Sequence, residues 1–257
     1  MFAKRGGATG VILSLAVTLT SCTAGSGSSE ARDMQEALQP VRDAQSYRMV
    51  GEFRSPDGTS TAFDAHVDAV KGGCKGTVGG AESLFFERRV WTRWKNSALD
   101  EAVQMLDDGQ AATIDPVAPA EDEPAWAAAK LLRGAYMVTD LPAENPQMEG
   151  IAPVCKTGGL LAGAGGGGGD VLSESVTVRR GERLRPLTLT EGPVMIRVYV
   201  PEEGEPTVRL AEYRVDGGWS FSVRFSEFGE PVTVTPPTEQ QTVSSDDVMA
   251  VLRRDPS

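Results

Sequence analysis

The chain has 257 residues and a formal net charge of −11 at pH 7, with 40% hydrophobic and only 6% aromatic residues. That length allows one large domain or two small ones. The acidic balance excludes nucleic acid as a partner and gives no general attraction to anionic lipid. The 29 glycines and 16 prolines suit a turn-rich β protein better than a helical bundle.

The first residues read as an export signal. Lys4 and Arg5 form a positive start, and Gly10 to Leu19 (GVILSLAVTL) is an apolar run of ten residues, too short to span a bilayer as a helix. Leu19-Thr20-Ser21-Cys22 follows and resembles the bacterial lipobox, with Thr20 slightly larger than the usual small residue. The resemblance implies that residues 1–21 are removed and that Cys22 becomes a diacylglyceryl cysteine. Two acyl chains hold a protein on a membrane stably where one does not. Residues 22–33, rich in Ser and Gly, then read as the lipidated cysteine and a flexible tether. The remaining residues, 34–257, are expected to form a single domain on the extracytoplasmic face of the cell membrane.

With Cys22 modified, Cys74 and Cys155 are the two cysteines left. A pair in an exported chain is expected to form a disulfide. Free thiols or a metal pair are the alternatives. A metal site is disfavoured because His66 is the sole histidine and no CxxC spacing occurs.

In chain order, residues 31–45 are predicted helical, with Met34, Leu38 and Val41 near one face and Pro40 expected to kink or end the helix. Tyr47, Met49 and Phe53 alternate with Arg48, Glu52 and Arg54. After the turn SPDG (55–58), Phe63, Ala65, Val67 and Ala69 alternate with Asp64, His66 and Asp68, so the two runs predict a hairpin. CKGTVGG, SLFFERR and VWTRW predict further short strands. DEAVQMLDDG and AWAAAKLLRGAY predict helices separated by an acidic, Pro-rich loop, DPVAPAEDEP, and YMVTDLP predicts a return to strand. The small apolar run MEGIAPVCKTGGLLAGAG predicts a helix beside the disulfide, and GAGGGGGD (163–170) a loop.

Beyond Asp170 the pattern predicts a β meander. Val194, Ile196, Val198 and Val200 face one way, and Met195, Arg197 and Tyr199 the other. Trp219, Phe221, Val223 and Phe225 share one apolar face. SSDDVMAVLRR predicts a closing helix with a serine N-cap and with Asp246 and Asp247 at its positive end. A sheet with one apolar face needs a cover, and the helices are placed to supply it. The expected class is α+β.

Three segments, SYRMVGEF, GGCKGTVGG and FSEFGEPVTVTPP, following a lipobox, resemble actinobacterial LolA/LppX-like surface lipoproteins. The resemblance covers roughly residues 35–240. It implies a curved antiparallel half-barrel sheet with helices on its concave face and an apolar cavity between them. The Gly tract, the acidic residues 121–123 and the C-terminal helix depart from the family pattern.

Signals for chemistry are weak. Gly163, Gly165 and Gly168 match GxGxxG, but no βαβ unit surrounds them, so a loop is the expectation. His66 between Asp64 and Asp68 reads as a solvated sheet face, and no nucleophile elbow is present. No catalytic residue, metal or cofactor is expected, and the chain is not expected to be an enzyme. Phe85, Trp91, Trp94, Tyr199, Trp219 and Phe221 are the candidate ligand-lining residues, with core packing as the alternative for each. The expected function is the binding or carriage of a lipid or other apolar ligand. The rival is an anchored interaction or sensing module with a filled core and an envelope protein as partner.

Overall fold

The computed structural model describes residues 29–110, 124–141, 154–156, 158, 161 and 170–253, with the backbone alone over 104–110. The export signal, Cys22, residues 121–123 and Gly163, Gly165 and Gly168 lie outside the described residues. Helix α1 is Ser29–Asp43. Strands β1 (Ser46–Arg54), β2 (Ser60–Asp68), β3 (Gly73–Val78), β4 (Ala81–Phe86) and β5 (Arg89–Arg93) follow. Next come α2 (Asn96–Gln110), α3 (Pro124–Leu132) and β6 (Tyr136–Asp140). The chain then runs through β7 (Val171–Ser173), β8 (Thr177–Arg179), β9 (Glu182–Glu191), β10 (Val194–Pro201), β11 (Leu210–Val215) and β12 (Ser220–Ser226). It closes with β13 (Thr242–Ser244) and a last helix, α4 (Ser245–Leu252).

These strands form one 13-stranded sheet in the order β13-β6-β5-β4-β3-β2-β1-β12-β11-β10-β9-β7, with β8 also paired to β9. All pairs are antiparallel except β13 with β6. Among the described residues the two end strands are not joined, so the sheet is open. The α+β expectation holds, and so does the alternation that produced it. Because side chains alternate across a strand, the register carries Met49 opposite Phe225 and Ala65, and Phe53 opposite Phe221.

One face of this sheet holds the main core. Met34, Ala37, Leu38 and Val41 of α1 are buried against Met49, Ala65, Val67, Leu187, Val198 and Val223. Each of the Val, Leu and Met side chains among these contributes about 1.5–3 kcal/mol through removal from water. Asp33 of α1 also pairs with Arg185 of β9 at 2.7 Å. Pro40 does not end α1, which continues to Asp43.

The disulfide joins Cys74 of β3 to Cys155, with their Cα atoms 5.7 Å apart. Cys155 lies in helical backbone at 154–156, and Val154 and Leu161 are buried in the same core. Gly158 lies so close to the Tyr47 hydroxyl that a Cβ there would collide with it.

The remaining helices cluster at the β6 end. Leu99, Val103, Ala128, Ala129, Leu132 and Val248 pack with Trp94, Trp126, Met137 and Val243. Register places Met137 on the same side of the sheet as Val90, so these helices share the α1 face. Ser244 caps α4 by accepting the Asp247 N–H at 3.0 Å, as the sequence pattern predicted.

Among the described residues the opposite face is covered only in part. Val232 and Val234 lie over Leu84, Phe86, Trp91, Tyr136 and Val138, so the chain after β12 straps the β4–β6 end. The strand predicted over SLFFERR stops at Phe86. Glu87 and Arg88, with φ of 47° and 68°, form a two-residue hairpin turn. Arg88 holds that turn by donating to the Leu141 carbonyl at 2.7 Å.

Candidate functional site

On the α1 face, four rings form a shelf. Phe53 of β1 stacks on Trp219 at 5.8 Å between centroids, Trp219 on Tyr213 at 4.9 Å, and Tyr213 on Phe221 at 5.1 Å. Interplanar angles of 29°, 14° and 4° make these stacked contacts, each contributing about 0.5–1.5 kcal/mol beyond burial. Register builds the shelf, because Phe221 lies opposite both Phe53 and Tyr213. Phe221 is buried, whereas Phe53, Tyr213 and Trp219 are half-buried and pack at the margin of the main core.

The six predicted lining residues do not converge. Trp219 and Phe221 belong to the shelf. Phe85 is buried on the same face beside the disulfide, with the Lys156 ammonium 5.8 Å from its ring centre. Trp94 packs among α2, α3 and α4. Trp91 is buried on the opposite face under Val234. Tyr199 also points to that opposite face, where the β8–β9 hairpin covers it. The Arg179 guanidinium lies 5.5 Å from its ring centre, and its hydroxyl donates to Glu212 at 3.0 Å. Burial, with Glu212 beside it, raises the Tyr199 phenol above its ordinary pKa. Phe53 and Tyr213 complete the shelf and were not singled out as lining. Their alternation is visible in the sequence, but their meeting with Trp219 depends on strand order.

The β1–β2 part of the opposite face is charged. Arg48 makes a two-point contact with Asp64, at 2.8 and 2.6 Å, and reaches Glu227 at 2.7 Å. These bonds, with Asp64 first, raise the Arg48 pKa, and Arg48 in turn holds the Asp64 carboxyl below its usual range. His66 Nδ1 lies 3.6 Å from Glu227. Asp68 accepts the Lys71 N–H at 2.9 Å. Asp64, His66 and Asp68 are thus turned to separate partners. Among the described residues no group of three or more metal-ligating side chains forms, and no helix is long and apolar enough to cross a membrane.

Beside this cluster a groove of about 950 Å³ runs across β1, β12 and β11 beneath the β8–β9 hairpin. The hairpin arches there because Arg180 and Gly181, with φ of 52° and 84°, make a two-residue turn.

The fold and its two faces define an α+β protein with a single open sheet, helices on one side and a charged groove on the other. No protein-family model matches the sequence, and no curated protein matches it. Among solved structures the chain is similar to the lipoprotein LppX of Mycobacterium tuberculosis, at 13% identity and a TM-score of 0.42, covering 80% of this chain and 98% of that one. It is similar to LprF of Mycobacterium bovis at 10% identity and 0.45, covering 81% and 96%. A LolA superfamily protein of Nitrosomonas europaea is similar at 9% identity and 0.28, covering 80% and 97%. At such identities no residue role passes from these proteins to this chain.

Proposed function

We propose that this chain is a membrane-anchored extracytoplasmic lipoprotein of LolA/LppX type. Its single domain, residues 34–257 together with the first turn of α1 from Ser29, would bend its sheet around an apolar ligand, such as a lipid, on the α1 face. The aromatic shelf carries the proposal. Phe53, Tyr213 and Trp219 are stacked yet only half-buried, and a platform of that kind offers an acyl chain or ring a flat apolar surface without further ordering cost. Cys22, as lipidated residue, holds that surface near the membrane from which ligand would be taken. Binding and release proceed by fit, with no bond made or broken.

A photoreactive fatty acid tests this reading. Labelling is expected on peptides carrying Phe53, Tyr213 or Trp219, with saturation and competition by unlabelled fatty acid. Labelling spread evenly over the surface contradicts it.

A second reading rests on the packing of α1. Met34, Ala37 and Leu38 are fully buried, so this part of the α1 face is already filled by the protein itself. An interaction or sensing module with an envelope protein as partner would need no more space than that. Uptake of no apolar probe by the intact chain selects this reading.

A further inference from the structure

The groove on the face away from α1 has a composition that the lipid-carrier reading does not use. Its lining includes Arg48, Arg179, Arg180, Arg209 and Arg224 against Glu52, Glu182 and Glu212. In a chain of net charge −11, this is a local reversal of sign. Each groove carboxylate is already engaged. Glu52 pairs with Arg54 at 3.1 Å, Glu182 with Arg209 at 3.3 Å, and Glu212 takes the Tyr199 hydroxyl and lies 3.8 Å from Arg197.

Among the described residues two of these arginines are not engaged. Among the described residues neither Arg180 nor Arg224 has a carboxylate partner, whereas Arg48 is held by Asp64 and Glu227. Arg224 lines the groove from β12, opposite Val50 in the β1–β12 register. Arg180 lines the same groove from the turn of the hairpin. Val50 and Val178, which are 39% and 62% exposed, add apolar surface to the groove lining.

We infer that this groove binds a phosphate ester, with Arg180 and Arg224 gripping the phosphate and Val50 and Val178 taking an adjoining apolar portion. The guanidinium fork matches two oxygens at once. A phosphate monoester presents three free oxygens to two forks, whereas a carboxylate presents two. The groove volume is that of a small-molecule site. The overall negative charge opposes docking on an anionic bilayer and leaves the arginines to act at short range, within a Debye length of about 8 Å at physiological salt. The phosphate can belong to a lipid headgroup or to a soluble ester. The site is separate from the aromatic shelf and stands or falls independently of it.

The test is calorimetric titration of the full chain carrying Cys22→Ser, so that no acyl group is attached. Three probes are used: dihexanoyl phosphatidic acid below its micelle concentration, glycerol 3-phosphate and hexanoate. Saturable binding of a phosphate probe is expected, weakened at least tenfold in Arg180→Gln/Arg224→Gln and weakened further by added salt. Preference for phosphatidic acid assigns the lipid source, and equal affinity for glycerol 3-phosphate assigns a soluble ester. The urea midpoint of the variant is expected to match the parent, since both arginines lie at the surface. Absence of phosphate binding, equal or tighter binding of hexanoate, or binding unchanged in the double variant overturns the assignment. The carrier reading is untouched by any of these results.

Discussion

Breaking the disulfide should cost several kcal/mol. Cys74 and Cys155 are separated by 81 positions. On the chain-entropy relation, a loop of that length lowers unfolded-state freedom by about 4.5 kcal/mol at 25 °C. Cys74 is fully buried, and the Cys155 segment brings Val154 and Leu161 into the main core. The crosslink therefore also holds buried apolar surface in place, and the entropic figure does not include that part. For a denaturant slope of about 3 kcal/mol per M, the urea midpoint of Cys74→Ala/Cys155→Ala should fall by about 1.5 M. Tryptophan fluorescence reads the transition, since the four tryptophans are spread over the α1-face shelf, the helical cluster and the strapped opposite face. Reduction of the parent protein should lower the midpoint by a similar amount. A shift below about 0.5 M in both experiments would refute the view that this crosslink anchors the 154–161 segment to the sheet.

Three further outcomes are expected. Burial raises Tyr47 to about 12 from 10.0, so its stabilising contribution is complete below pH 10 and is lost as pH rises through 12. That loss is about 2–3 kcal/mol, and Tyr47→Phe should remove it from the alkaline stability profile while leaving neutral-pH unfolding two-state. Ser244→Ala removes the acceptor for the Asp247 N–H and should lower stability by about 1 kcal/mol, whereas Ser244→Asp should retain most of it in urea melts. Cys22→Ser should move the protein out of the membrane fraction, and unchanged membrane association would remove the anchor from the account.

The strands were legible because a two-residue period is written plainly in runs such as VMIRVYV and WSFSVRF, and the turns between them carry Gly or Asp. The α4 cap was legible for a similar local reason. What escaped was everything set by the order of strands. Nothing in the sequence around Trp91 distinguishes a ring facing α1 from one facing the Val232–Val234 strap, because both faces of β4 and β5 carry apolar residues. Tyr199 sits on the polar side of β10 by alternation, yet it is buried because the β8–β9 hairpin folds back over it. Phe53 meets Trp219 only because β1 and β12 are neighbours, and sequence distance conceals that pairing. Of the two effects expected of Pro40, ending the helix is the one that does not occur, because the packing of Leu38 and Val41 carries α1 past it to Asp43.

The same dependence on strand order placed the groove out of reach of the sequence. Arg48, Arg180 and Arg224 come from three distant segments, and each taken alone reads as an ordinary solvated side chain. Only the β1–β12 register and the hairpin turn at Arg180-Gly181 bring their positions to one groove.

Native mass spectrometry of the chain from residue 23 reports whether an apolar ligand sits on the α1 face. The protein would be exported from a bacterial host and purified without detergent. A bound lipid at one per chain, lost or reduced in Tyr213→Ala/Trp219→Ala, is the predicted result. A chain that is empty, and that takes up nothing when a membrane lipid extract is offered, would contradict the proposed function.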